Sequence, residues 1–106
     1  MTNKIEHFYK TVIKNTVVSS EPFIIPNNEE WIIKDVILSA SNTPITTVSL
    51  IFGSEIMVST SGVLSVVLNR QITGDGVKEL KLFLDNGYQK DQIMGGSYTV
   101  IKKVVY

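Results

Sequence analysis

Residues that could carry catalytic or metal chemistry are few in this sequence of 106 residues. The only histidine is His7 and there is no cysteine, so a serine triad or a zinc site would depend on one imidazole, and thiolate chemistry is excluded. Two carboxylates can together hydrolyse a glycosidic bond. The acids that could form such a pair, most of them in predicted turns, are Glu29, Glu30, Asp35, Asp85 and Asp91. We expect no catalytic residue, metal or cofactor and no enzymatic activity, with a carboxylate hydrolase as the remaining enzymatic alternative.

Glycine and aspartate cluster at three places that resemble ligand-binding loops only superficially. Residues 85–87, together with Asp91, supply oxygen ligands but lack the alternating spacing of an EF-hand calcium loop. Residues 74–76 and 95–96 lack the spacing of a phosphate-binding loop and open no predicted helix. All three places favour turns. A further acid, Asp35, interrupts an apolar run, and we expect it to face solvent at a strand end.

Aromatic side chains are the remaining candidates for a binding site. Trp31 with Tyr88 or Tyr98 could offer rings to a carbohydrate, although a tryptophan at the start of a strand favours a place in the core. Phe83 lies on the polar face of an alternating strand, where we expect it to be exposed, and Tyr88 follows in a loop. Exposed aromatic residues commonly anchor another protein chain. Phe83 and Tyr88 are therefore predicted to contact a partner.

The charge balance excludes two classes of partner. Ten basic and ten acidic side chains give a net charge of zero, whereas nucleic acid and anionic membranes require a concentrated excess of lysine and arginine. No run approaches the ~20 apolar residues of a membrane-spanning helix. The first residues also lack the apolar segment of a secretion signal, so we expect none.

The composition determines which elements must position these residues. Valine, isoleucine and threonine together supply 35 residues, while alanine occurs once, at Ala40. Branching at Cβ restricts the side-chain rotamers, which disfavours a helix and suits a pleated strand. We therefore predict an all-β protein. The runs with strand character are 5–18, 22–26, 31–40, 47–52, 55–59, 63–72, 80–84 and 98–105.

Seven or eight short strands must cover one another's apolar faces. The arrangement that does so is a two-layer antiparallel β-sandwich of the jelly-roll type, here as a single domain over residues 1–106. In the 80–84 strand the leucines point inward. In the 31–40 strand we predict that Ile32, Val36 and Leu38 lie on one face. The opposite face is predicted to carry Trp31, Ile33 and Ile37.

Two segments are predicted to contact partners. Residues 1–10 form a possible N-terminal contact arm, because their apolar face has no obvious partner within the chain. Residues 86–96 form a long loop suited to binding, with at most a short strand at 92–94. The individual residues predicted to bind a partner are Ile5, His7, Phe8, Tyr9, Phe83 and Tyr88.

The order of these features resembles the small β-sandwich virion proteins of tailed bacteriophages, which are accessory proteins of the head, neck or tail. The resemblance runs from about Tyr9 to Val104. Three features carry it. In residues 23–38 an apolar stretch ends on proline and is followed by a polar turn and a strand; in residues 72–82 a turn with glycine and aspartate precedes alternating leucines. The third feature is a closing strand at residues 97–101.

The resemblance implies a non-enzymatic structural role in a virion that is assembled in the host cytoplasm. The expected partners are further copies of this chain or a major phage structural protein. The alternative interpretation is a carbohydrate-binding or adhesive β-sandwich module, for which the ligand would be a glycan.

Overall fold

The computed structural model of the protein describes residues 2–20, 22–40 and 46–104, of which 2–7, 9, 10 and 104 are described by their backbone alone. These residues form nine strands. They are β1 (Thr2–Val12), β2 (Thr16–Ser19), β3 (Phe23–Ile24), β4 (Glu29–Ser39), β5 (Thr46–Phe52), β6 (Glu55–Thr60), β7 (Val63–Thr73), β8 (Glu79–Asn86) and β9 (Gln92–Val104).

The strands form two antiparallel sheets. Sheet I has the order β1-β9-β4-β7, and sheet II has the order β2-β8-β5-β6 with β3 also paired to β8. The pairs are nested along the chain: β1 with β9, β2 and β3 with β8, β4 with β7, and β5 with β6. A chain folded back on itself in this way and rolled into two layers is a jelly roll. The predicted all-β sandwich is confirmed.

The number of strands exceeds the predicted seven or eight partly because the run 5–18 divides in two. A turn at residues 14–15 connects β1 in sheet I to β2 in sheet II. In this turn Asn15 has a φ of 54°. Asparagine tolerates this left-handed backbone better than a β-branched residue does. The turn therefore forms where the sequence interrupts its run of valine, isoleucine and threonine.

The core lies between the two sheets and is built by strand alternation. In β8 the three leucines Leu80, Leu82 and Leu84 are buried, as predicted, while the residues between them are half-buried on the outer face. Opposite them, β4 contributes four buried side chains. These are Trp31, Ile33, Val36 and Leu38.

The predicted faces of β4 are wrong because the strand contains a β-bulge. Ile33 lies opposite Val100 and Val36 lies opposite Tyr98 on β9, so two residues of β4 face one residue of β9 between these pairs. The extra residue shifts the alternation by one position. Asp35 is exposed at this bulge, as predicted, but it lies in the middle of the strand and not at its end.

The predicted loop 86–96 is also wrong, because β9 begins at Gln92. Gly95 and Gly96 are buried within this strand. A Cβ atom on Gly96 would lie 2.8 Å from both the carbonyl oxygen of Ile37 and the Cδ2 atom of Leu38. Glycine at position 96 therefore allows β9 to pack closely against β4. Only residues 87–91 remain as a loop.

Candidate assembly surface

The outer face of sheet I carries apolar side chains that no described part of the chain covers. Val63 is 75% exposed, Ile93 71%, Val67 66% and Ile37 43%. Ile37 lies opposite Ser65 on β7. Branched residues stand on this face because alternation places every second residue of a strand away from the core.

Strand β7 is one of the two edge strands of sheet I; the other is β1. On one side β7 pairs with β4, and no described strand pairs with its other side. Its core-facing side chains Leu64, Val66 and Leu68 are only half-buried, because no described strand flanks them on the outer side. A second bulge, with Asn69 at a φ of 48°, ends the regular part of the edge. Residues 63–68, called the β7 edge segment below, therefore expose both backbone and apolar side chains.

The predicted N-terminal contact residues lie on a strand that is fully paired on one side. The backbone of β1 is in register with β9 over its length, with Ile5 opposite Thr99 and His7 opposite Ser97. Tyr9 lies opposite Gly95. The side chains of Ile5, His7 and Tyr9 lie outside the described residues. Residues 2–10 thus belong to sheet I, and their contact role stays a prediction.

The predicted aromatic contact residues do not share one surface. Phe8 is half-buried and packs against the core between the sheets. Phe83 is half-buried on the outer face of sheet II, opposite Ser19 and Ser49, so it is less exposed than predicted. Tyr88 is also half-buried, in the loop after β8. Their binding roles stay predictions, and any common partner would have to reach different faces.

Two of the three rings considered for a carbohydrate platform, those of Trp31 and Tyr98, are in the core, and that of Tyr88 is half-buried. Trp31 and Tyr98 are each 3% exposed. The indole N–H of Trp31 donates to the carboxylate of Glu29 at 2.8 Å, and the Lys102 ammonium lies 4.4 Å from the ring centroid. The favoured interpretation of Trp31 as a core residue is confirmed.

A groove of about 460 Å³ opens at the β5–β6 turn. Its lining residues are Phe52, Ser54, Glu55, Arg70, Gln71, Ile72, Thr73 and Lys78. The Arg70 guanidinium forms a salt bridge with Glu55; this hydrogen bond lowers the pKa of Glu55 and raises that of Arg70. A carboxylate held ionised by arginine is poorly suited to donate a proton at neutral pH. We find no group of three or more metal-ligating side chains within the described ranges.

Asn86 is a structural residue that the sequence reasoning assigned to an ordinary turn. Its side chain is fully buried, and its amide nitrogen donates to the carbonyl oxygens of Val12 and Lys90, each at 2.9 Å. Its amide oxygen accepts the backbone N–H of Tyr88 at 3.0 Å. Asn86 thereby joins the end of β1 to the 87–91 loop. The sequence does contain a signal for the burial of Asn86. Residue 86 is the next position in the alternation that points Leu80, Leu82 and Leu84 inward.

Comparison with known proteins gives no relative from which to transfer a function. A scan against models of protein families and searches of curated proteins and of solved structures found no match to this chain. Over the described residues, the structure has no helix long and apolar enough to cross a membrane.

Proposed function

We propose that this chain is a non-enzymatic structural protein of a bacteriophage particle. In this role it is an accessory or decoration protein of the capsid, neck or tail that acts by self-association or by docking on a major structural protein. The observation that carries the proposal is the set of uncovered apolar side chains on the outer face of sheet I. Covering them with another protein would remove apolar surface from water, which favours association.

The architecture is compatible with this role. Jelly rolls form the domains of many viral capsid proteins, although they also occur in lectins and cupins, so the fold alone assigns no function. Polar groups that could otherwise suggest catalysis have structural partners: Glu55 binds Arg70, Glu29 accepts from Trp31, and Asp91 accepts the backbone N–H of Lys14. These contacts favour a role in assembly over a reaction.

The proposal is tested by looking for the chain in particles. Particles assembled from a genome that carries this gene are purified through a density gradient, and the chain is quantified by mass spectrometry. We expect the wild-type chain to be present in many copies. Its absence from purified particles would contradict the proposed function.

A pair of variants tests whether the outer face of sheet I is used. Ile93→Lys places a charge at a position that is 71% exposed on sheet I, and we expect incorporation to fall at least tenfold. Ile56→Lys is the matched control, because Ile56 is 61% exposed on β6 of sheet II. Equal incorporation of the two folded variants would contradict the assignment of this face.

A further inference from the structure

We propose that the β7 edge segment, residues 63–68, pairs antiparallel with the same segment of a second copy of this chain. The two copies of sheet I would then form one continuous sheet across a two-fold axis. The inference rests on the proposed function and names the partner that covers part of sheet I.

The other sheet edges carry features that discourage pairing. Strand β1 contains Lys4, Glu6 and Lys10 in its sequence. Strands β2 and β3 have four and two residues and are separated by a segment containing Pro22. Strand β6 carries an irregularity in its pairing with β5, between Leu50 and Ile51 of β5. Charges, proline, short length and bulges are the usual protections of an edge.

The β7 edge segment lacks these protections. Its sequence, Val-Leu-Ser-Val-Val-Leu, contains no charge and no proline. Six-residue segments of high β propensity and no charge are the type that pairs readily with copies of themselves. The bulge at Asn69 sets the end of the segment. Arg70, just beyond it, is neutralised by Glu55, so no unpaired charge on the described part of β7 opposes a second copy.

Two-fold symmetry allows a register in which like residues meet. In an antiparallel pair centred on Ser65, Val63 lies opposite Val67 of the second copy, and Leu64 lies opposite Val66. The exposed valines then cover each other on the outer face, and the half-buried residues cover each other towards the core. Ser65 meets its own copy on the axis. Every off-axis contact is made twice, as an isologous dimer requires.

The size of the contact predicts a weak dimer. Two six-residue strands bury less than the roughly 1,200 Å² of a stable interface. We therefore expect association that depends on concentration, and stable pairing only where many copies are held close together in a particle.

The first test is sedimentation velocity over a range of protein concentrations. We expect a monomer at low concentration and a growing dimer fraction at high concentration. Val67→Lys and Val63→Lys should each weaken dimerisation at least tenfold, because each places two lysines at the interface. Val77→Lys is the control, since Val77 is 74% exposed in the loop between β7 and β8. Circular dichroism confirms that each variant is folded.

The second test uses the absence of cysteine from the chain. In the proposed register the Ser65 Cα atoms of the two copies lie about 4.5–5.5 Å apart, within the range of a disulfide. Ser65→Cys should therefore form a disulfide-linked dimer under mild oxidation at least tenfold faster than Ser54→Cys. Ser54 is the control because it is exposed in the β5–β6 turn.

Three results would overturn the pairing. They are a wild-type chain that is monomeric at every concentration, a dimer unaffected by both lysine variants of β7, and equal cross-linking rates for the two cysteine variants. A chain that is monomeric alone but lost from particles on Val67→Lys would show that β7 binds a different protein. A wild-type dimer that never enters particles would leave the pairing intact and contradict the proposed function.

Discussion

At the scale of single residues, Asn86 shows how one amide joins separate elements. Its buried side chain satisfies two carbonyl oxygens and one N–H. Asn86→Ala leaves these groups without their partner in the interior, so we expect the free energy of unfolding to fall by roughly 2–4 kcal/mol. Urea denaturation measures the loss. Asn28→Ala, in an exposed turn, should change stability by less than about 0.5 kcal/mol, and a comparable loss in both variants would contradict this role.

Asp75 gives a prediction about pH. Its Oδ1 atom accepts the backbone N–H of Lys78 at 2.7 Å and that of Val77 at 2.9 Å, and these bonds lower the pKa of Asp75. A carboxyl with a lowered folded pKa stabilises the fold above its unfolded pKa of about 3.9. This stabilisation is lost as the pH falls through the lowered folded value.

Asp75→Asn keeps an acceptor oxygen but cannot titrate. We therefore expect the wild type to be more stable than this variant at neutral pH, with the difference shrinking as the pH is lowered through the acid range. Urea denaturation at a series of pH values measures the difference. Because the other carboxyl groups are common to both proteins, a difference that stays constant with pH would show that Asp75 does not contribute in this way.

At the scale of the elements, Gly96 determines how closely β9 approaches β4. A methyl group at this position meets Ile37 and Leu38 at 2.8 Å. Gly96→Ala should therefore lower the free energy of unfolding by roughly 1–3 kcal/mol. The neighbouring Ser97→Ala, which removes an atom from a half-buried position, should cost less than about 0.5 kcal/mol. Equal stability of Gly96→Ala and wild type in thermal unfolding would contradict the packing role of this glycine.

Elements with strict alternation could be predicted from the sequence, and elements with an interruption could not. The inward leucines of β8 were predicted correctly because period-two patterning specifies which face is buried. The faces of β4 were predicted incorrectly, because a bulge shifts the inward–outward alternation of its side chains and no glycine or proline marks the position of that bulge. The start of β9 was missed for the opposite reason, since Gly95 and Gly96 are typical of a turn but serve close packing here.

The sequence predicted the type of candidate surface, an uncovered edge with apolar residues, but not all of the residues that form it. Uncovered edges and exposed apolar residues were expected at residues 1–10, at Phe83 and in the loop after β8. The structure does place residues 2–10 on an edge strand, β1, and their contact role stays a prediction. The structure places the exposed valines Val63 and Val67 on β7. Which strand becomes an edge depends on the order of strands in the sheet, and that order arises from pairings between residues far apart in the sequence.

At the scale of the whole molecule, sheet I of the jelly roll ends on the edge strand β7, which we propose is covered by a second chain. Nested pairing covers the inner faces of both sheets but leaves β7 with an unpaired backbone on one side within the described structure. Because strand addition uses the backbone, it requires no specialised side chain in the partner segment. A neutral protein with few reactive residues can therefore assemble through such an edge.

Amide hydrogen exchange at low and high protein concentration tests this central claim most directly. We expect exchange in residues 63–68 to slow as the concentration rises, because the outward backbone groups of β7 become hydrogen-bonded to a second copy. Exchange in β6, Glu55–Thr60, should stay unchanged. Identical exchange in residues 63–68 at both concentrations, or protection that appears only in β6, would contradict the account.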